Sequence, residues 1–374
     1  MKENLLELNR NILKRKANGK AIFQPRINAW YDDRVFSKKD LPGKFAGCDK
    51  VALYEKIGCS DRLYNFNTCL EAQYDSSVKV EWISINTNGR DYEKIMTTPV
   101  GTVNEIVCGN DSNYGMMPTK WLCTTKEDLR VCSYIEEATT FSFNMDTYNK
   151  LYSELSHLGL PTMFIPRTNI QKLIVELSGV EDTYYLLADY EDEVEDYFKS
   201  LTKSQEGMIK AVAESPIEWI NYGDNLHCRI LPDYMFVKYI LPEYEKRGDV
   251  LHKANKFVYS HWDGEVKGYL KYAKSCFLDG IEAITPEPQG DVTIEEVKEH
   301  LGDEIFLIDG LAAVLFNDTY SKEHLTRETK KILNLFEGQL ILGISDEMPA
   351  DGEIEKVELV TELVNEFNAK KNTF

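Results

Sequence analysis

FVYSHWDG (257–264), GIEAITPEP (280–288), IFLIDGL (305–311) and QLILGIS (339–345) are short apolar runs, each closed by polar residues and followed by a helical pattern. Runs of this length, bounded by Gly, Pro and Asp, read as strands buried on both faces. Strands that alternate with helices imply parallel βαβ units with right-handed crossovers. Working outward, the same grammar reaches back through IEWINYG (217–223) to LPTMFIP (160–166). Helices are expected from Thr125, over 146–158, 190–214, 232–254 and 267–276, from Thr293, and over 321–337 and 354–369. Neither a Rossmann Gly-rich fingerprint nor a P-loop is present, so a closed (β/α)8 TIM barrel is favoured over an open doubly wound sheet.

Upstream the pattern changes. VKVEWISINTNGRDYEKIMTTPVGTVNEIV (78–107) alternates apolar and polar residues on either side of Asn88-Gly89, a hairpin dipeptide whose two residues both tolerate positive φ. A second turn at Thr98–Gly101 extends it to an antiparallel β-meander. The expected organisation is therefore an N-terminal extension, 1–115, with a helix, a pocket loop and the meander, followed by a barrel domain, 116–374. The pocket loop is FQPRINAWYDDR (23–34), whose Arg26, Trp30 and Tyr31 form an unusual basic and aromatic cluster.

Composition narrows the function. The 374 residues carry a net charge of −19, which opposes any broad contact with a phosphate backbone, so nucleic acid is not expected as a partner. Eight cysteines without a CxxC pair argue against a zinc ribbon, a thioredoxin-type motif and a disulfide framework. No stretch has the apolar length of a membrane span, and MKENLLELNRNILKRK (1–16) reads as an amphipathic helix rather than a signal peptide. A cytoplasmic location is expected, without membrane attachment; a homodimer is compatible with the sequence but not required by it.

In a parallel barrel the chemistry lies just after each strand. Those places hold Asp224, His227 and Cys228 after IEWINYG, His261, Trp262 and Asp263 in FVYSHWDG, Glu287 and Gln289 after GIEAITP, Asp309 in IFLIDGL, and Asp346 and Glu347 after QLILGIS. Asp224, Asp309 and Asp346 taken singly read equally well as helix caps. His261 and Asp263, two apart on an extended segment, project the same way and are the better candidate ligands.

The stretch INYGDNLHCRILPDYMFVKYILPEYEKRGDVLHKANKFVYSHWDGEVKGYLKYAKSCFLDGIEAITPEPQGDVTIEEVKEHLGDEIFLIDGL (220–311) resembles the uroporphyrinogen decarboxylase superfamily. The resemblance rests on a Gly-Asp after one strand, the ILPEY helix, a strand ending His-x-x-Gly, and GIEAITPEP with a Gly-Asp before the next helix. It extends to YYLLADYEDEVEDYFKSL (184–201) and, more weakly, to TPVGTV (98–103) and FQPRINAWY (23–31). The superfamily's branches differ in chemistry. In the decarboxylase itself an RQAGRY-like loop and a GHG are expected; here Arg26-Ile27-Asn28-Ala29-Trp30-Tyr31 and Ser345-Asp346-Glu347 stand in those places. A porphyrinogen's many carboxylates need several cationic partners. The branch that methylates a thiol carries zinc on His-x-Cys and a distant Cys, where this chain has His261, Asp263 and Asp346, with oxygen donors replacing sulfur.

The remaining branch is methyltransferase I of corrinoid-dependent O-demethylase systems, of the vanillate type. It implies an enzyme of anaerobic metabolism that moves a methyl group from a methoxylated aromatic compound to the cobalt(I) of cobalamin on a separate corrinoid protein, with zinc as its own cofactor. On that resemblance His227, His261, Asp263 and Asp346 are the metal candidates, with Glu206 in reserve. His261, Asp224 and Glu287 are the catalytic candidates, activating the ether oxygen or contacting a phenol hydroxyl. Arg26, Trp30, Tyr31, Arg167 and Trp262 would bind substrate, either arginine holding a carboxylate if there is one. A Glu-x14-Glu-x20-His zinc pattern of vanillate-type members also occurs, as Glu191, Glu206 and His227. One unbroken helix over 190–214 would hold its glutamates about 22 Å apart, too far to share an ion. The alternatives are a tetrapyrrole decarboxylase, a methylcobamide-dependent thiol methyltransferase, and a corrinoid-binding module without catalysis.

Overall fold

The computed structural model describes residues 4–87, 89–109 and 115–371. Along the chain the strands are β1 (Ile22–Phe23), β2 (Leu70–Tyr74), β3 (Lys79–Ser84), β4 (Tyr92–Thr98), β5 (Gly101–Gly109), β6 (Met116–Lys120), β7 (Thr139–Phe143), β8 (Thr162–Phe164), β9 (Trp219–Asn221), β10 (Phe257–His261), β11 (Gly280–Glu282), β12 (Phe306–Ala312) and β13 (Leu340–Ser345). Seven of them form one parallel sheet in the order β1-β13-β12-β11-β10-β9-β8, flanked by helices. All six apolar runs picked out above are strands of this sheet. Its first strand, β1, comes from the N-terminal region and pairs with β13 in parallel through Ile22–Ile341 and Phe23–Leu342.

The sheet curls until its two edges share a neighbour. Ser60 donates its backbone N–H to Phe23 O at 3.0 Å, and Leu63 makes a parallel bridge to Pro161, next to β8. The expected eight-stranded barrel is thus seen as seven regular strands, with the irregular segment 60–63 between β8 and β1. That segment escapes a strand reading because CSDRLYNF (59–66) has neither an apolar run nor alternation.

The lower interior is apolar. Ile22, Leu160, Trp219, Phe306, Ile308 and Ile341 pack with Leu6, Leu8 and Ile12 of the helix Leu5–Leu13, which closes the N-terminal ends of the strands. Asn4 caps that helix by accepting from Glu7 N–H. The upper interior is polar and holds the side chains described below.

The meander forms an antiparallel sheet β3-β4-β5-β6. Thr98 pairs with Gly101 around a two-residue turn, as expected. Its other hairpin closes at Ser84–Tyr92, leaving a longer connection than the two-residue turn predicted; Asn88 itself lies outside the described residues. Val80, Met96 and Val103 lie side by side on the face turned to the core. A further ribbon pairs β2 with β7.

The helix expected over 267–276 is reduced to a 3-10 segment, Leu270–Ser275. The carboxylate of Asp291 accepts the backbone N–H groups of Val266 and Lys267 at the start of that crossover. All eight cysteines are free, five of them buried. Among the described residues no helix is long and apolar enough to cross a membrane.

Candidate active site at the barrel mouth

Strands β9 to β12 and the loops after β1 and β13 converge on one charged network. His261, the last residue of β10, places Nδ1 2.8 Å from Glu282 Oε2 at the end of β11. Glu282 is almost wholly buried and collects four donors: His261, Arg62 on Oε1, Tyr64 on Oε1 at 2.8 Å, and Asn221 on Oε2 at 2.7 Å. Asn221 and Tyr259 also donate to the Tyr64 oxygen, at 2.8 and 3.1 Å. Burial alone would raise the Glu282 carboxyl, but the charges of Arg62, His261 and Arg26 hold it well below the usual carboxylate range. It is an anion that can only accept.

That fixes the imidazole. Arg26 Nη1 also lies 3.4 Å from His261 Nδ1, but Nδ1 cannot accept from Arg26 while donating to Glu282. The carboxylate is the closer and better partner, so Nδ1 carries the proton and Nε2 is the atom left for the mouth. Burial lowers the His261 pKa, and the Glu282 hydrogen bond and charge more than offset it, so the net shift is upward.

Arg62 is buried between two carboxylates, with Nη2 2.7 Å from Asp309 Oδ1 and Nη1 on Glu282. Asp309 reaches it because its φ of +79° breaks the alternation of β12 just after Ile308, which faces the lower core. Gly343 on β13 makes room: a Cβ there would collide with Asp309 Oδ1 and lie 2.9 Å from Gln24 O. Burial, with Glu282 nearby, raises the Asp309 carboxyl despite the arginine.

Arg26, just past β1, lies against Asp346 and holds Glu347 Oε1 at 3.2 Å. Asp346 Oδ1 is a buried acceptor for which even Arg26 lacks hydrogen-bond geometry. Single ligand atoms of His261, Asp263 and Asp346 all lie within 4.8 Å of one another. Burial and the Asp346 charge raise the Asp263 carboxyl, and burial also raises Glu347. The mouth therefore holds five carboxylates, Glu282, Asp309, Asp263, Asp346 and Glu347, against two arginines, each bound to a pair of them. One imidazole and two carboxylates, with an Asp346 oxygen that is ion-paired to Arg26 but accepts no hydrogen bond, suit zinc, whose catalytic sites use three protein ligands and keep a position open.

The sequence candidates separate. His261, Asp263, Asp346 and Arg26 meet at the mouth. His227 instead packs against Gly264, whose φ of +81° and missing side chain leave space for the ring; a Cβ there would lie 2.6 Å from His227 Cδ2. Its Nδ1 accepts from Arg229 N–H at 3.3 Å. Glu206 stands on the outer face of the single helix Glu191–Glu214, exposed and paired with Lys246 at 2.8 Å, and Glu191 pairs likewise with Lys238. The helix does not break between them, so the Glu-x14-Glu-x20-His spacing gathers no site. Asp224 is buried as a loop brace, accepting from Thr168 N–H and Oγ1–H at 2.9 and 3.0 Å. Glu287 is exposed and lines a cleft of about 270 Å³ with His324 and Glu328.

Trp30 and Trp262 are fully buried: Trp30 donates to Gly352 O, and Trp262 packs edge-on against Phe236 and Tyr269. Tyr31 lies under Lys50, and Arg167 pairs through Nη1 with Glu176 at 2.7 Å. The partly exposed rings beside Glu282 are instead Tyr64 and, edge-on to it at 6.1 Å, Phe164. Glu282, Arg62 and Tyr64 are the functional candidates that sequence reasoning missed. A second donor group, Cys228, Glu265 and Asp291, is already satisfied: Asp291 accepts two backbone N–H groups and Glu265 pairs with Arg229. A cavity of about 910 Å³ lies at the opposite end of the barrel, beside the helix Leu5–Leu13.

No protein-family model matches the chain, and no curated protein matches it significantly. Among solved structures, the GH18 chitinase ChiB of Flavobacterium johnsoniae is 10% identical with a TM-score of 0.38, covering 61% of this chain and 82% of that one. The IOLI protein with a binding zinc atom is 9% identical with a TM-score of 0.28, covering 61% and 86%. Neither score is high enough to bear on the site. A methyltransferase from Methanosarcina mazei is 13% identical with a TM-score of 0.50, covering 69% of this chain and 74% of that one, and at that identity the likeness establishes a shared fold alone.

Proposed function

We propose that the chain is a methyltransferase that takes the methyl group of a methoxylated aromatic compound and passes it to the cobalt(I) of a corrinoid protein. The observation that carries the reading is the His261–Asp263–Asp346 group at the strand ends, beside the partly exposed Tyr64 and Phe164 rings. The fold shared with a methyltransferase supports it. Cobalt(I) is itself the nucleophile, so the protein has two tasks: to hold the ring, and to stabilise the oxygen as the methyl leaves.

Tyr64 and Phe164 offer apolar ring faces for the arene. The cobalt attacks the methyl carbon, the carbon–oxygen bond breaks, and its electron pair stays on the phenolic oxygen. His261, whose Nδ1–H is anchored on Glu282, presents Nε2 to that oxygen; in its imidazolium form it delivers the proton that yields the phenol. The raised pKa keeps that form populated to higher pH than for a free histidine. His261, Asp263 and Asp346 are also the residues that would hold zinc; when bound it would occupy His261 Nε2 and supply Lewis acidity at the same oxygen in place of that proton. A tetrapyrrole decarboxylase would need free cations, and both mouth arginines are engaged by carboxylates. A thiol methyltransferase would need thiolate ligands, and the group contains none.

Incubation with a cobalt(I) corrinoid protein and guaiacol tests the proposal. Growth of methyl-cobalt(III) absorbance with release of catechol is the expected result. No methyl-cobalt under conditions in which the protein binds the corrinoid partner would reject it.

A further inference from the structure

The charge pattern of the mouth reaches further than the reaction class. Arg26 is engaged by Asp346 and Glu347, and Arg62 is enclosed by Glu282 and Asp309. Arg167, the other arginine suited to a substrate carboxylate, is bound to Glu176. His261 Nδ1 is committed to Glu282. Five carboxylates against two arginines leave the mouth negative, and a divalent cation held by His261, Asp263 and Asp346 would still leave it without net positive charge. The chain as a whole, at −19, adds to the same field.

We propose that this site selects uncharged methoxyarenes and rejects those bearing a ring carboxylate. The inference rests on the methyltransferase reading for the identity of the reacting group, but its physical basis is separate. A benzoate-type ligand would bring another anion beside Asp346 and Glu347, or would have to displace one of them from Arg26; either way its charge is left without a partner. A phenol hydroxyl or a methoxy oxygen meets no such conflict, because carboxylates accept from the first and tolerate the second. The discriminating element is Glu347, which occupies Arg26 Nε and so occupies the group an incoming carboxylate would seek.

Two independent measurements test this. In methyl transfer to a cobalt(I) corrinoid protein at low ionic strength, kcat/KM for guaiacol should exceed that for vanillate, its ring-carboxylated counterpart, by roughly 100-fold. Equal or better turnover of vanillate overturns the inference while leaving the methyltransferase reading intact. Calorimetric binding of catechol and of 3,4-dihydroxybenzoate needs no turnover. Catechol should bind at least tenfold more tightly, and a preference for the benzoate, or binding of neither, overturns the inference even if no ether is demethylated. The Glu347→Gln variant should shift the catechol-to-benzoate affinity ratio by roughly tenfold toward the benzoate. An unchanged ratio would show that Arg26 occupancy is not what discriminates.

Discussion

Replacing Glu282 by glutamine tests the centre of the network without changing its shape. In the wild-type site Oε1 accepts from Arg62 and Tyr64, and Oε2 from Asn221 and His261. An amide must turn its NH2 toward one of those pairs, so donor faces donor whichever way it lies. Arg62 is left buried with Asp309 alone, and breaking one side of a buried ion pair costs about 3–5 kcal/mol. At about 2.1 cal/mol/K of unfolding entropy per residue, a chain of 374 residues melts about 4–6 °C lower for that loss. Differential scanning calorimetry at pH 7 measures it. Metal content provides the second observable: in either orientation His261 loses the negative charge that holds its ring and raises its basicity, so zinc affinity should fall by roughly 10- to 100-fold. A melting temperature within about 1 °C of wild type, with zinc affinity unchanged, would refute both the ionised state assigned to Glu282 and its control of His261.

Three further outcomes follow from the same geometry. His261→Ala should lower bound zinc and turnover together, as measured by metal analysis and methyl-cobalt formation; full zinc occupancy in the variant would remove His261 as a ligand. Asp61 is buried with Oδ1 unpartnered, and burial pushes its carboxyl up to about 6, so the native state binds a proton that the unfolded chain has already lost. Stability from this group is therefore full below about pH 4 and declines as pH rises through 6, by about 3 kcal/mol at pH 7; Asp61→Asn should recover much of that at pH 7 and nothing at pH 4, and an equal gain at both would contradict the assignment. Glu206→Ala should leave zinc content unchanged and stability within about 0.5 kcal/mol, because only an exposed pair with Lys246 is lost.

What could be read in advance followed from periodicity. Strands β8 to β13 are apolar runs with clear ends, and the residues at those ends include His261, Asp263 and Asp346. Where sequence reasoning stopped, a local pattern was missing. Arg62 and Tyr64 lie in a segment that closes the barrel without strand periodicity. Glu282 looks like one more residue of GIEAITP, because nothing in its neighbourhood shows that four distant donors meet on it. Asp309-Gly310 did carry a signal: a turn dipeptide inside a strand, with φ of +79° and +97° in the fold, marks a break in the pleat. The aromatic expectation failed for a different reason. Trp30 and Trp262 are large enough to dominate a sequence reading, yet large rings are also what fills gaps between helices and a barrel, and both are wholly buried.

Both arginines of the mouth come from the part of the chain that precedes the regular βα units. Arg26 follows β1, and Arg62 sits in the segment between β8 and β1. The carboxylates they neutralise come mainly from β11, β12 and the loop after β13. The βα units from β8 onward therefore supply the five carboxylates and none of these cations, and their upper interior would be strongly self-repelling if the first 63 residues were detached. The segments that close the barrel are thus the ones that neutralise its mouth. Because Arg26 lies against both Asp346 and His261, the N-terminal segments are part of the site rather than an appendage to it.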